Sequence, residues 1–356
     1  MSGAAMRTGA RCAVSADGID HRALADFMHA SGMIGAGPLS VERLTGGQSN
    51  PTYLVACGGQ RYVLRKQPPG QLLPSAHAID RESRVMAALR GSAVPVPRVF
   101  AYCEDATLIG TPFYLMEFLD GRMMLDQALP GADRAARAAI YAEMNRVIAC
   151  LHRIDPAAVG LAGFGRAGNY FQRQIARWTR QYGETRIEDI KAMDALMDWL
   201  PGRIPPGDKT AIVHGDYRLD NLIFHPTEAR IIGVLDWELS TLGHPLADFS
   251  YHCMSWHIPA SLWRGIGGLD LPALGIPGEA EYLRQYCALT GADALEHWDF
   301  YLAYNLFRMA AILQGIAKRA CDGNAAAGDA AETGRKARPL AELGWRIAQR
   351  YEASRR

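Results

Sequence analysis

His214-Gly215-Asp216-Tyr217-Arg218-Leu219-Asp220-Asn221 follows one short apolar run, Ala211 to Val213, and precedes another, Leu222 to Phe224. The flanking runs read as strands, so Asp216 and Asn221 share one tight loop. A carboxylate there can orient a hydroxyl group and receive its proton. A carboxamide oxygen can serve a hard divalent cation. Asp and Asn are also common turn residues, and the octet alone fits a plain polar turn. The next segment weakens that alternative. Ile231-Ile232-Gly233-Val234-Leu235 runs into Asp236-Trp237-Glu238, putting another carboxylate at the end of a buried strand just past the loop. A carboxylate so placed can bridge a metal ion to phosphates. Coincidence is a poor account of both signals in this order and at this separation.

The spacing from Asp216 to Asn221 matches the H-x-D-x-x-x-x-N catalytic loop of kinases. H-G-D-Y-R-L-D-N-L, followed by V-L-D-W-E-L-S-T-L-G-H-P-L-A-D, resembles the aminoglycoside phosphotransferase and choline-kinase-like superfamily. Within it the chain most resembles the kinase-like domain associated with acyl-CoA dehydrogenases. The resemblance covers about Leu44 to about Arg319. It implies an α+β, protein-kinase-like bilobal fold, with a small antiparallel-sheet N-lobe carrying one helix and a large, mainly helical C-lobe. It further implies an ATP-dependent small-molecule kinase that uses ATP and Mg2+. Position by position, Asp216 would be the catalytic base and Asn221 and Asp236 would hold Mg2+. Asp248, in Pro245-Leu246-Ala247-Asp248, would brace the catalytic loop. Relatives often read G-D-P where this chain reads Gly243-His244-Pro245, and His244 is assigned no role.

The same resemblance assigns the nucleotide contacts upstream. Gly46, Gly47, Gln48, Ser49 and Asn50 lie between two predicted strands and resemble a phosphate-covering loop, where backbone N–H groups of a Gly-rich turn approach phosphate oxygens. The third strand, Tyr62-Val63-Leu64-Arg65-Lys66, ends in two cations. Strand alternation sends them to opposite faces, so one of them reaches ATP, and Arg65 is the aligned position. Glu82 on the following helix resembles the partner of that cation; a lone Glu is also an ordinary helix-surface residue. Tyr114 to Gly121 resembles the hinge, with Glu117 and Leu119 placed for backbone contacts to adenine.

The remaining chain fits this frame. Residues 1–17 read as a frayed tail, 18–118 as the N-lobe and 119–356 as the C-lobe. Predicted helices include Asp20 to Met33, Ile79 to Leu89, Ala132 to Ile154, Tyr170 to Tyr182, Asp189 to Leu200, Ala280 to Leu289, His297 to Arg319 and Pro339 to Tyr351. Asp322 to Gly334, rich in Ala and Gly, reads as a mobile loop. A formal net charge of +1 gives no general case for nucleic-acid binding, and no stretch has the length and apolarity of a transmembrane helix. Seven scattered cysteines without a C-x-x-C pair suit reduced thiols in a cytoplasmic protein, monomeric or homodimeric. His252, Cys253 and His257 fit no zinc spacing and read as core or pocket residues. Leu151-His152-Arg153 reads as helix-end packing, and Met123-Met124 as lobe packing.

The acceptor is expected near the catalytic Asp, among Asp220, Trp256, His257, Tyr304 and Arg308. From Phe300 to the C-terminus ten Lys and Arg face five Asp and Glu, a balance that disfavours a polycationic aminoglycoside and suits an anionic hydroxy acid or hydroxyacyl-CoA. Solvated helix faces would account for the same bases. The alternatives are an aminoglycoside-type antibiotic phosphotransferase and a nucleotide-binding regulatory module without turnover. The absence of an A-P-E-like activation segment argues against a protein kinase.

Overall fold

The computed structural model describes residues 18–33, 38–44, 50–70, 78–293, 296–323 and 330–356. The tail read over 1–17 and most of the Gly-rich loop, residues 45–49, fall outside the described residues. The chain divides into two compact units, one made of Met1–Arg84 and Arg98–Phe118, the other of Val85–Pro97 and Leu119–Arg356.

The first unit is built on β1 (Leu39–Arg43), β2 (Thr52–Cys57), β3 (Gln60–Lys66), β4 (Val99–Cys103) and β5 (Phe113–Glu117). They form one sheet in the order β1-β2-β3-β5-β4, with every neighbouring pair antiparallel. Gly58 and Gly59, with φ of 57° and 78°, close the β2–β3 hairpin and bring Cys57 opposite Gln60. Only glycine takes two consecutive positive φ values cheaply, which fixes the register of the strand carrying Arg65. One face of the sheet buries Val55, Leu64, Phe113 and Leu115 against Leu24 and Met28 of α1 (His21–Ala30). The Asp20 carboxylate caps α1 by accepting the amides of Arg22 and Ala23, each at 3.0 Å. α2 (Ile79–Leu89) follows β3, and α3 (Ala106–Ile109) is a single turn between β4 and β5. Residues 85–97, expected in the N-lobe, group with the second unit, where the amide of Val234 donates to the Pro95 carbonyl at 2.9 Å.

The second unit holds β6 (Arg122–Met123), β7 (Ala211–Val213), β8 (Leu222–Phe224), β9 (Ile231–Val234) and β10 (Thr241–Gly243). β6, β8 and β9 form one small sheet, and β7 pairs with β10. The helices are α4 (Arg134–Arg153), α5 (Tyr170–Glu184), α6 (Lys191–Trp199), α7 (Pro245–Cys253), α8 (Leu271–Leu274), α9 (Glu279–Thr290), α10 (Trp298–Cys321), α11 (Ala330–Gly334) and α12 (Ala337–Ala353). Residues 300 to 311 of α10 are all buried, as expected of a helix packed on every side. It packs against α5, α7, α11 and α12. The segment read as a loop from Asp322 to Gly334 ends instead in α11. Gly334 sits so close to α10 that a Cβ there would lie 2.4 Å from the Ala317 Cβ. Met123, read as packing, is exposed on β6. No helix among the described residues is long and apolar enough to cross a membrane, and the six described cysteines are free.

Candidate active site

The octet occupies the span between β7 and β8. Two devices hold its backbone. Gly215 has φ +85°, and a Cβ there would lie 2.8 Å from the Leu239 carbonyl oxygen. Only glycine fits that turn. Asp248, buried on α7, accepts the amides of His214 and Gly215 at 2.7 and 2.8 Å. His152 Nε2 lies 3.1 Å from the same carboxylate, and its Nδ1 lies 2.7 Å from the Tyr286 hydroxyl. Burial alone would raise the Asp248 carboxyl; the hydrogen bond and charge of His152, with the His214 contacts, hold it below the usual carboxylate range. His152, read as helix-end packing, is therefore part of this brace.

His214 sits inside the turn. Its Nε2 lies 2.9 Å from the Leu235 carbonyl and so carries the proton, which leaves Nδ1 to accept the Asp216 amide at 3.2 Å. Arg308, buried on α10, donates from Nη2 to the Gly215 carbonyl at 2.7 Å. Both sides of the Gly215 turn are thus tied down.

The Asp216 carboxylate is held by two hydrogen-bond donors and an ion pair. Tyr251 on α7 donates its hydroxyl to Oδ1. Asn221 Nδ2 lies 3.0 Å from Oδ2 and also donates to the Asp216 carbonyl at 2.9 Å. Arg218 Nε lies 3.1 Å from Oδ2. Burial, then the neighbouring Asp216 charge, push the Tyr251 hydroxyl well above its ordinary value, so it stays a donor near neutral pH. Because Asn221 turns its NH2 toward Asp216, its Oδ1 is the atom it can offer a hard cation. Asp236 follows β9 with φ 64° and ψ 60°, a left-handed conformation uncommon outside glycine. Trp237 behind it is fully buried and donates Nε1 to the Val234 carbonyl at 2.9 Å. The Leu235 amide donates to the Asn221 carbonyl at 2.9 Å and ties the two metal-ligand candidates to one frame. Both offer oxygen, the donor type Mg2+ requires, and Mg2+ is commonly held by one or two such groups plus phosphates and water.

Of the acceptor candidates, Asp220 and Arg308 join the Asp216 loop. Asp220 Oδ1 lies 3.3 Å from Arg218 Nε, and Oδ2 accepts Arg264 Nη1 at 2.7 Å. Burial raises the Asp220 carboxyl against the opposing pull of Arg218. The other three are held elsewhere. Trp256 is nearly buried and donates Nε1 to the Pro277 carbonyl, His257 pairs with Glu279 at 2.7 Å, and Tyr304 is fully buried against Phe171. His252, read as core, is buried beside the Tyr282 hydroxyl. His244 caps α7, its Nδ1 accepting the Leu246 amide at 3.2 Å. Sequence reasoning passed over Tyr251, Arg218 and Arg264. Arg218 lies inside the quoted octet, where its proximity to Asp216 was the available signal.

In the first unit, Arg65 and Lys66 part company as alternation requires. Arg65 Nε pairs with Glu82 Oε2 at 2.9 Å, whereas Lys66 is buried and donates Nζ to the Ile109 carbonyl at 2.8 Å. Asn50 is buried, and residues 45–49 before it are not among those described. The Glu117 amide donates to the Arg98 carbonyl at 2.8 Å, so its carbonyl is the backbone group it could offer a base.

Comparison with known proteins supplies the context. A family described as the phosphotransferase enzyme family matches residues 40–304. Acyl-CoA dehydrogenase family member 10 of Mus musculus is 47% identical over 314 residues, which are 88% of this chain and 29% of the mouse protein. The chain thus spans less than a third of that relative. A crystal structure from Ralstonia eutropha, described provisionally as an aminoglycoside phosphotransferase, superposes with a TM-score of 0.86 at 55% identity, covering 93% of this chain and 98% of that one. A thermostable mutant of aminoglycoside phosphotransferase APH(4)-Ia, in ternary complex with AMP-PNP and hygromycin B, gives a TM-score of 0.57 at 18% identity over 86% of this chain and 95% of that one. That last likeness is one of fold.

Proposed function

The chain belongs to the phosphotransferase enzyme family, and from that premise we propose that it moves the γ-phosphate of Mg·ATP to a hydroxyl group of a small, anionic molecule, a hydroxy acid or a hydroxyacyl-CoA. The observation that carries this reading is the state of the Asp216 carboxylate. A carboxylate offers about four lone-pair sites; Tyr251 fills one on Oδ1 and Asn221 one on Oδ2 by hydrogen bonds, while Arg218 holds Oδ2 by charge alone. Oδ1 keeps a lone pair for an acceptor hydroxyl.

The acceptor O–H donates to that remaining site. As the acceptor oxygen forms its bond to the γ-phosphorus, the bond from phosphorus to the β–γ bridging oxygen breaks. ADP leaves with the bonding pair, and the hydroxyl proton passes to Asp216. Asn221 and Asp236 would hold Mg2+, which when bound neutralises phosphate charge. Arg65, oriented by Glu82, is the first-unit cation for the phosphates. Asp248, His214 and Arg308 keep the loop from relaxing, so the gain is positional and electrostatic.

Three features support the anionic acceptor. The mouse relative bears an acyl-CoA dehydrogenase name. Two guanidinium groups, Arg218 and Arg264, surround Asp220 next to the base. The C-terminal region is basic. The APH(4)-Ia neighbour is crystallised with hygromycin B, and an aminoglycoside polycation would meet like charge at these two arginines.

Acceptor-dependent ADP release from Mg·ATP tests the reading. The panel holds hydroxyacyl-CoAs, hydroxy acids, choline-like alcohols, sugars and aminoglycosides, with Asp216→Ala as the blank. Turnover with an anionic acceptor that vanishes in the blank is the expected result. Turnover that survives Asp216→Ala removes the assigned base, and Mg·ATP binding with no acceptor turned over favours a regulatory module.

A further inference from the structure

A chain of ion pairs leads away from the catalytic carboxylate: Asp216 to Arg218, Arg218 to Asp220, Asp220 to Arg264. Arg264 is its outer end, with a side chain 39% exposed. It is carried by a tightly closed loop. The Gly267 amide donates to the Ile258 carbonyl at 2.9 Å, and the Ile266 amide to the Ser255 carbonyl at 2.8 Å. Ile266 is fully buried, and a Cβ on Gly265 would lie 1.8 Å from the Ile258 carbonyl oxygen. The loop holds Arg264 at φ +47°, with its guanidinium 5.4 Å from the centroid of the Trp263 ring.

A guanidinium has five N–H donors in a planar fork that matches a carboxylate or phosphate edge-on. Arg264 spends Nη1 on Asp220, at 2.7 Å. Among the described residues its Nε and Nη2, the edge that grips an anion bidentately, have no hydrogen-bond partner. Asp220 touches Arg264 through one oxygen and Arg218 through the other, and Arg218 also pairs with Asp216, so two carboxylates balance two guanidiniums. The anion site is therefore not a surplus of charge but the unfilled Nε–Nη2 edge of Arg264, which Asp220 aims.

We propose that Arg264 is the specificity-determining residue for the acceptor. Its Nε–Nη2 edge binds an anionic oxygen group, carboxylate or phosphate, of the molecule whose hydroxyl meets Asp216, with Trp263 beside it as an apolar wall. This rests on the phosphotransferase reading of the Asp216 site and names the acceptor feature that site selects. The anion is the carboxylate of a free hydroxy acid or a phosphate of a CoA thioester.

The test compares three forms of one medium-chain hydroxy acid: the free acid, its neutral methyl ester and its CoA thioester. Each is titrated calorimetrically into wild type, Arg264→Gln and Arg264→Glu, and ADP release is followed in parallel. Arg264→Gln should raise the Kd and KM of the preferred anionic form about tenfold, the worth of a charge-assisted hydrogen bond at a partly exposed site. It should leave the methyl ester and kcat within about twofold, because the base is untouched. Arg264→Glu should abolish the preference for the anion. Whichever of free acid and CoA thioester responds identifies the source of the anion. Turnover with equal KM for ester and anions in all three proteins overturns the subsite and leaves the phosphotransferase reading standing. Arginine-dependent anion binding without ADP release keeps the subsite and removes that reading. Neither binding nor turnover with any form overturns the subsite too.

Discussion

Asp248 shows how one buried side chain can set the geometry of a loop more than thirty positions away. An unpaired charge at that depth would cost several kcal/mol, yet here it accepts two backbone amides and meets His152. The amides belong to the turn that aims Asp216, so removing the charge loosens that loop as well as the fold. Asp248→Asn should destabilise the protein by roughly 3 kcal/mol at neutral pH, a Tm loss of roughly 6–12 °C for a unit of this size. The sign of the pH dependence follows from the depressed carboxyl. A group whose folded-state value lies below its unfolded value stabilises above the unfolded value, about 3.9, and loses that contribution as pH falls through the folded one. Melting curves of wild type and Asp248→Asn should therefore differ most near pH 7 and converge below about pH 4. A gap that stays constant from pH 7 to pH 3 would mean the charge does not carry the brace. The sequence disclosed Asp248 through its motif and hid His152, whose partner is 96 positions away.

Strand β3 separates two adjacent cations by face alone, and that division is testable. Arg65→Met should weaken Mg·ATP binding about tenfold or more, since the proposed charge-assisted contact to phosphate goes with it and Glu82 loses its ion pair with Arg65. Lys66→Met should leave Mg·ATP affinity within about twofold and lower stability by about 1–3 kcal/mol, because the Ile109 carbonyl loses its donor. Nucleotide titration and thermal melts of both variants decide it; equal loss of affinity in the two would contradict the alternation argument. The elements that sequence periodicity delivers are those with one wet face. The alternation of β2, the Gly58-Gly59 hairpin and the amphipathic α1 and α5 all follow that logic. α7 escapes it. All nine of its residues are buried, so no period exists to read, and its start rests on the His244 cap with Pro245 at the first turn. β6 and β10 are two and three residues long, below the length at which alternation is visible. The site divides the same way. Asp216, Asn221 and Asp236 are legible because their spacing is local. Tyr251 and Arg264 are not, since they reach the loop from 35 and 44 positions along the chain.

The division of the chain into two units does not follow the order of its residues. The second unit claims Val85–Pro97, while Arg98–Phe118 returns to supply β4 and β5 to the first. A cut at the Phe118–Leu119 junction, where the composition changes from strand to helix, therefore removes part of the second unit along with the first. The missing piece carries Val85, Met86, Leu89 and Val94, all buried. It also carries Pro95, whose carbonyl accepts the Val234 amide two residues before Asp236. Each such side chain is worth about 1.5–3 kcal/mol when fully buried, and a natural domain has only about 5–15 kcal/mol in total. A fragment of residues 119–356 should accordingly lose cooperative unfolding, bind a hydrophobic dye and exchange the Val234 amide quickly. The whole chain should unfold cooperatively with that amide protected. The decisive readout is Val234 exchange, because it reports the hydrogen bond from the Asp236 strand to the early segment. If the fragment melts in one sharp transition with Val234 still protected, the second unit is self-sufficient, and the helix-to-loop segment from Val85 to Pro97 is an accessory to it.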